Sequence, residues 1–96
     1  MSSERSITEI VLFELPSIRL AESLLAHASS DRLSWLQDRD DAYVVGVLLE
    51  PDPPDLALLL RSVQGWLERM QLAAIRFEVD RRVYALEATE PALAAG

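Results

Sequence analysis

The sequence predicts a small α+β domain, on three observations. Short β-branched and aromatic runs alternate with longer stretches of helical period. The runs are bounded by Pro, Asp and Ser. The 96 residues, 50% of them hydrophobic, are enough for one core without disulfides or metals. The domain is expected over residues 7–87, with Met1 to Ser6 as a flexible N-terminus and Ala88 to Gly96 as a flexible tail.

The first strand is expected over Ile7 to Leu15, where Ile10, Val11, Leu12 and Phe13 make both faces apolar and Pro16 ends the run. Ser17 can cap a helix over Ile18 to Ala28, with Ile18, Ala21, Leu24, Leu25 and Ala28 on one side. Arg19, Glu22, Ser23 and His27 fall on the other. A hairpin follows, with arms Arg32 to Gln37 and Ala42 to Glu50 around the polar turn Asp38, Arg39, Asp40 and Asp41.

Pro51 to Pro54 breaks the chain. Asp52 can cap a second helix, Pro53 suits its first position, and Asp55 completes a capping-box-like start. Leu56, Leu59, Leu60, Val63, Leu67 and Met70 then form one stripe with Trp66 at its edge, while Arg61, Gln64 and Glu68 face water. From Ala74, Ile75, Phe77 and Val79 alternate with Arg76, Glu78 and Asp80, the pattern of a one-sided strand. Val83 to Glu87 either returns as a fifth strand after a tight turn at Asp80, Arg81 and Arg82, or that strand runs on.

The order β-α-β-β-α-β is the split βαβ, ferredoxin-like arrangement: two helices on one face of a four-stranded antiparallel sheet, with the option of a short fifth C-terminal strand. In element order the chain resembles ferredoxin-like amino-acid sensors of the ACT type, an analogy of fold alone. Those sensors commonly carry a glycine after the first strand, where this chain has Leu15-Pro16-Ser17. The pairs Asp38-Arg39 and Asp80-Arg81 give a faint internal echo of helix plus hairpin.

Several function classes lack their residues. There is no cysteine, so no thiolate metal site or cysteine nucleophile. Net charge is −7, which argues against nucleic acid as a partner; the nine basic residues are all arginines. No apolar run nears the roughly 18 residues of a membrane span, and no signal peptide is apparent, so a cytoplasmic location without membrane contact is expected. His27 reads as a surface residue, and Asp38, Asp40 and Asp41 as a solvated turn without the further ligands of a calcium loop. Gly46, Gly65 and Gly96 lie too far apart to cradle phosphate. Arg76, Arg81 and Arg82 mix with Glu78 and Asp80 as a solvated surface, and Trp35 and Trp66 read as packing residues. No catalytic residue, cofactor or metal is expected.

One surplus remains. A 4-1-3-2 order places the first and third strands at the centre, where either alternate set leaves an apolar set on the face away from the helices. The expected contact residues there are Ile10, Leu12, Val44 and Leu48, rimmed by polar outer strands through Arg76, Glu78 and Asp80 and through Ser34 and Asp38. A second copy, a different protein, or the segment Val83 to Leu86 folded back can cover that face. The expected function is a non-catalytic interaction or oligomerisation module, forming a homodimer or binding a protein partner through the sheet. The alternative is a small dimeric α+β-barrel enzyme or small-molecule sensor with a pocket between sheet and helices.

Overall fold

The computed structural model of the chain describes residues 9–30, 32–49 and 56–88. Along them run β1 (Glu9–Leu15), α1 (Ile18–Ser29), β2 (Ser34–Asp38), β3 (Tyr43–Leu49), α2 (Leu56–Met70), β4 (Ala74–Val79) and β5 (Arg82–Glu87). The protein is α+β, with two helices and a five-stranded antiparallel sheet in the order β2-β3-β1-β4-β5. β1 pairs with β3 from Glu9↔Leu49 to Leu15↔Tyr43 and with β4 from Val11↔Val79 to Glu14↔Arg76.

One alternate set of each central strand turns toward the helices. Val11, Phe13 and Leu15, Val45, Val47 and Leu49, and Ile75, Phe77 and Val79 share a single buried cluster with both helices. α1 contributes Ala21, Leu24 and Ala28; α2 contributes Leu59, Val63, Trp66 and Leu67. Both helices therefore cover the same face of the sheet. Each large aliphatic side chain buried this way stabilises by about 1.5–3 kcal/mol, so the stripe of α2 holds that helix in place.

Caps and turns close the elements. Ser17 Oγ accepts the Leu20 N–H at 3.2 Å, the expected cap of α1. α2 ends on Gln71 in the left-handed region (φ 61°), with Gln71 N–H donating to Glu68 O at 3.1 Å and Leu72 N–H to Leu67 O at 3.0 Å. That pair of bonds is a Schellman motif in which glutamine holds the position glycine favours. The expected capping residues Asp52, Pro53 and Asp55, and the strand start at Ile7, lie outside the described residues.

Of the two options for the end of the chain, the fifth strand is the one present: Asp80 and Arg81, both at positive φ, turn the chain so that β5 pairs with β4 along its whole length, and Val83 to Leu86 does not fold across the sheet. Three expectations are corrected. The first arm of the hairpin begins at Ser34 rather than Arg32 and extends to Asp38, because Asp38 pairs with Tyr43. Gln64 is half-buried, and its Nε2 donates to Glu87 O at 3.0 Å. Ala88 belongs to the fold, since its N–H donates to Ala73 O at 2.9 Å and it packs on the core. The echo between Asp38-Arg39 and Asp80-Arg81 does not extend to geometry. The first pair straddles a strand end, with Arg39 N–H donating to Ala42 O at 2.9 Å, whereas the second forms the turn itself.

Candidate functional site

The sheet face opposite the helices is set by register. Ile10 lies beside Leu48, and Leu12 beside both Gly46 and Glu78. Glu14 lies beside both Val44 and Arg76. β2 adds Trp35 opposite Gly46 and Gln37 opposite Val44. β5 adds Val83 opposite Glu78 and Ala85 opposite Arg76. The four residues named from the sequence, Ile10, Leu12, Val44 and Leu48, thus fall on one face. They do not contribute equally, because Ile10 is 44% exposed, Leu12 and Leu48 are half-buried, and Val44 is fully buried.

β2 corrects the expected polar rim. Ser34, Leu36 and Asp38 pair with Val47, Val45 and Tyr43, the helix-facing set of β3, so they share that side. The opposite side of β2 carries Trp35 and Gln37, and just before the strand Leu33, which is 67% exposed, accepts the Leu48 N–H at 3.0 Å and continues that side. The outer strand therefore extends the apolar patch. Trp35 is half-buried and its ring lies against Gly46, where any Cβ would overlap the indole. Its Nε1 donates to Gln37 Oε1 at 3.2 Å. A glycine within a strand marks such a close approach, and Trp35 opposite Gly46 is the signal that a hairpin register read from the sequence would have supplied.

Charge occupies the other half of the face. Leu12, Val44 and Val83 share a small cleft with Glu14, Glu78, Arg39 and Arg76. Asp80 and Arg81 flank a second groove beside Ile10, Leu12 and Trp35. Together these residues are three carboxylates and three guanidiniums, a neutral set on a chain of net charge −7.

Among the described residues His27 is the one side chain whose surroundings suggest catalysis. It is half-buried between the helices, with Nε2 2.8 Å from Ser62 Oγ and 3.2 Å from Ser62 O, and Nδ1 3.2 Å from an Arg69 guanidinium nitrogen. A serine–histidine pair resembles an activated nucleophile. The tautomer speaks against that. A guanidinium only donates, so Nδ1 accepts, the proton sits on Nε2, and Nε2 donates to Ser62. A general base needs the reverse. The triad is an inter-helix clasp, and the reading of His27 as a plain surface residue is corrected accordingly.

No family model, curated protein or solved structure matches this chain. Its chemistry rests on the residues themselves. Among the described residues no group of three or more His, Asp or Glu side chains could hold a metal ion, and no helix is long and apolar enough to cross a membrane. Four grooves formed by described residues lie at the sheet ends and on the open face. The one bounded by Glu14, Pro16, Asp41, Ile75 and Arg76 has a volume of about 470 Å³. None of these grooves takes a residue from α1 or α2.

Proposed function

We propose that the protein is a non-catalytic oligomerisation module, a ferredoxin-like domain with β5 as an added edge strand, whose open sheet face packs against that of a second copy. The observation that carries this reading is the apolar patch of Leu33, Trp35, Leu48, Ile10 and Leu12 on the face the described helices leave uncovered. Charge favours a second copy as occupant. A chain of net charge −7 repels its like in general, yet the two grooves beside the patch pair the carboxylates Glu14, Glu78 and Asp80 with the guanidiniums Arg39, Arg76 and Arg81, so this part of the face can complement itself. The order β2-β3-β1-β4, with both helices on one side, supports the ferredoxin-like assignment. A core filled by Phe13, Trp66, Leu24 and Leu59 favours the module over an enzyme or sensor with a pocket between sheet and helices.

Two neighbouring positions test the proposal. Leu12 lies on the open face beside Glu78, and Val11 lies in the core with no exposure. Leu12→Lys is expected to give a folded monomer, since Glu78 can accommodate the ammonium. Val11→Lys is expected to unfold, because it buries an unpaired charge. Sedimentation analysis with circular dichroism reads both. A wild-type monomer at high concentration, or a Leu12→Lys protein that stays associated, overturns the face-to-face reading.

A further inference from the structure

The second surface is the edge of the sheet at β5. Asp80 and Arg81 form a two-residue turn with φ of 56° and 65°, so the closing pair Val79↔Arg82 exchanges backbone hydrogen bonds and alternate pairs do so thereafter. Phe77↔Tyr84 and Ile75↔Leu86 are then bonded pairs, and the Ala88 N–H to Ala73 O bond continues the alternation. The N–H and C=O groups of Val83, Ala85 and Glu87 consequently point away from β4. Gln64 takes the Glu87 carbonyl. Among the described residues no strand lies beyond β5 to take those of Val83 and Ala85.

Edge strands of soluble proteins are commonly guarded by charge, proline or a bulge. Val83-Tyr84-Ala85-Leu86 has none of these along its length. Val83 is 63% exposed and Tyr84 43% exposed, on opposite faces.

We infer that β5 pairs antiparallel with β5 of a second copy about a two-fold axis through Tyr84, joining two sheets edge to edge. This register sets Val83 of each copy opposite Ala85 of the other, so the outward amides and carbonyls satisfy one another in four hydrogen bonds. It sets Tyr84 opposite its own copy, extending the stack that Phe77 and Tyr84 already make at 5.3 Å. It brings the basic start of the strand, Arg81 and Arg82, alongside the Glu87 end of the other strand. It leaves the Gln64 bond to Glu87 O intact, because Glu87 faces the turn of the second copy. The ends differ in charge and the middle is neutral, which selects a second copy rather than an arbitrary peptide. The contact uses the backbone edge of β5 rather than the side chains of the apolar patch, and a chain using both assembles beyond a dimer.

Amide hydrogen exchange on the full-length protein across a dilution series tests the inference. At high concentration the Val83 and Ala85 amides are expected to be protected at least tenfold more than at low concentration, while those of Tyr84 and Leu86 keep their protection throughout. Fast exchange at Val83 and Ala85 at every concentration overturns it. So does protection that dilution leaves unchanged, which assigns the edge to another segment of the same chain. Ala85→Pro removes one outward N–H and leaves the bonds to β4 in place, as proline does on an edge strand. It is expected to abolish the protection of Val83 and to lose one association step; an unchanged mass overturns the inference. Ala85 also lies on the open face, beside Arg76 at the edge opposite β2, so Ala85→Pro leaves the apolar patch of Ile10, Leu12 and Leu48 in place; Leu12→Lys leaves β5 untouched, and the two contacts fail separately.

Discussion

At the residue scale, tryptophan placement separates the two faces. Trp66 is 2% exposed in the core, and its Nε1 donates to Ser23 Oγ at 3.0 Å, so a buried indole meets its polar need from the neighbouring helix. Trp35 sits on the other side of the sheet, over Gly46. The two aromatics therefore answer to different parts of the molecule. Gly46→Ala is expected to displace the Trp35 ring and leave Trp66 where it is. Overpacking of this kind costs about 1–3 kcal/mol. In a Trp66→Phe background the emission of Trp35 is expected to shift to the red as the ring enters water. Unchanged emission and stability mean that the indole does not rest on Gly46.

Elements differ in how much of their structure the sequence discloses. α2 and β4 carry one apolar stripe each, and Leu59, Val63 and Leu67, then Ile75, Phe77 and Val79, are buried as the periods single out; at the margin of the α2 stripe Trp66 is buried and Met70 is exposed. β2 is different. Trp35 and Leu36 are adjacent, so neither face is polar and alternation alone does not orient the strand; pairing with β3 does. The same holds for the site. Ile10, Leu12 and Leu48 were legible as a surplus on central strands, whereas Leu33 and Trp35 were not, because their contribution depends on register. A lone histidine has no period at all, and the clasp at His27 became visible only when the helices were set side by side. The end of α2 offers a test at this scale. A left-handed backbone costs an L-residue about 1–2 kcal/mol, and the extra freedom of glycine in the unfolded chain offsets about 0.4–1 kcal/mol of that. Gln71→Gly is therefore expected to stabilise the protein by about 0.5 kcal/mol, read as a higher urea midpoint at constant slope. A lower midpoint would show that the glutamine side chain holds the cap.

For the whole molecule, face and edge association both make stability depend on concentration. A species that binds its like only when folded gains stability by mass action. The melting temperature of the wild type is expected to rise with protein concentration. Leu12→Lys and Ala85→Pro are each expected to weaken that dependence, and the double variant to abolish it. A wild-type melting temperature that is flat over a hundredfold range of concentration would remove both contacts together.

The two-sided apolar character of β1 and β3 also bears on how the chain finds its alignment. A strand with one oily face cannot slip by a single residue without exposing it, but β1 has Val11, Phe13 and Leu15 on one side and Ile10 and Leu12 on the other. Hydrophobicity alone barely distinguishes the native alignment from one displaced by a residue. Two features do. A slip of β1 drives Glu14 under the helices, and a slip of β3 replaces Gly46 beneath Trp35 with a valine. One carboxylate and one missing side chain thus act as the locating pins of the central strand pair, and its misfolded forms are to be sought among chains that have lost either.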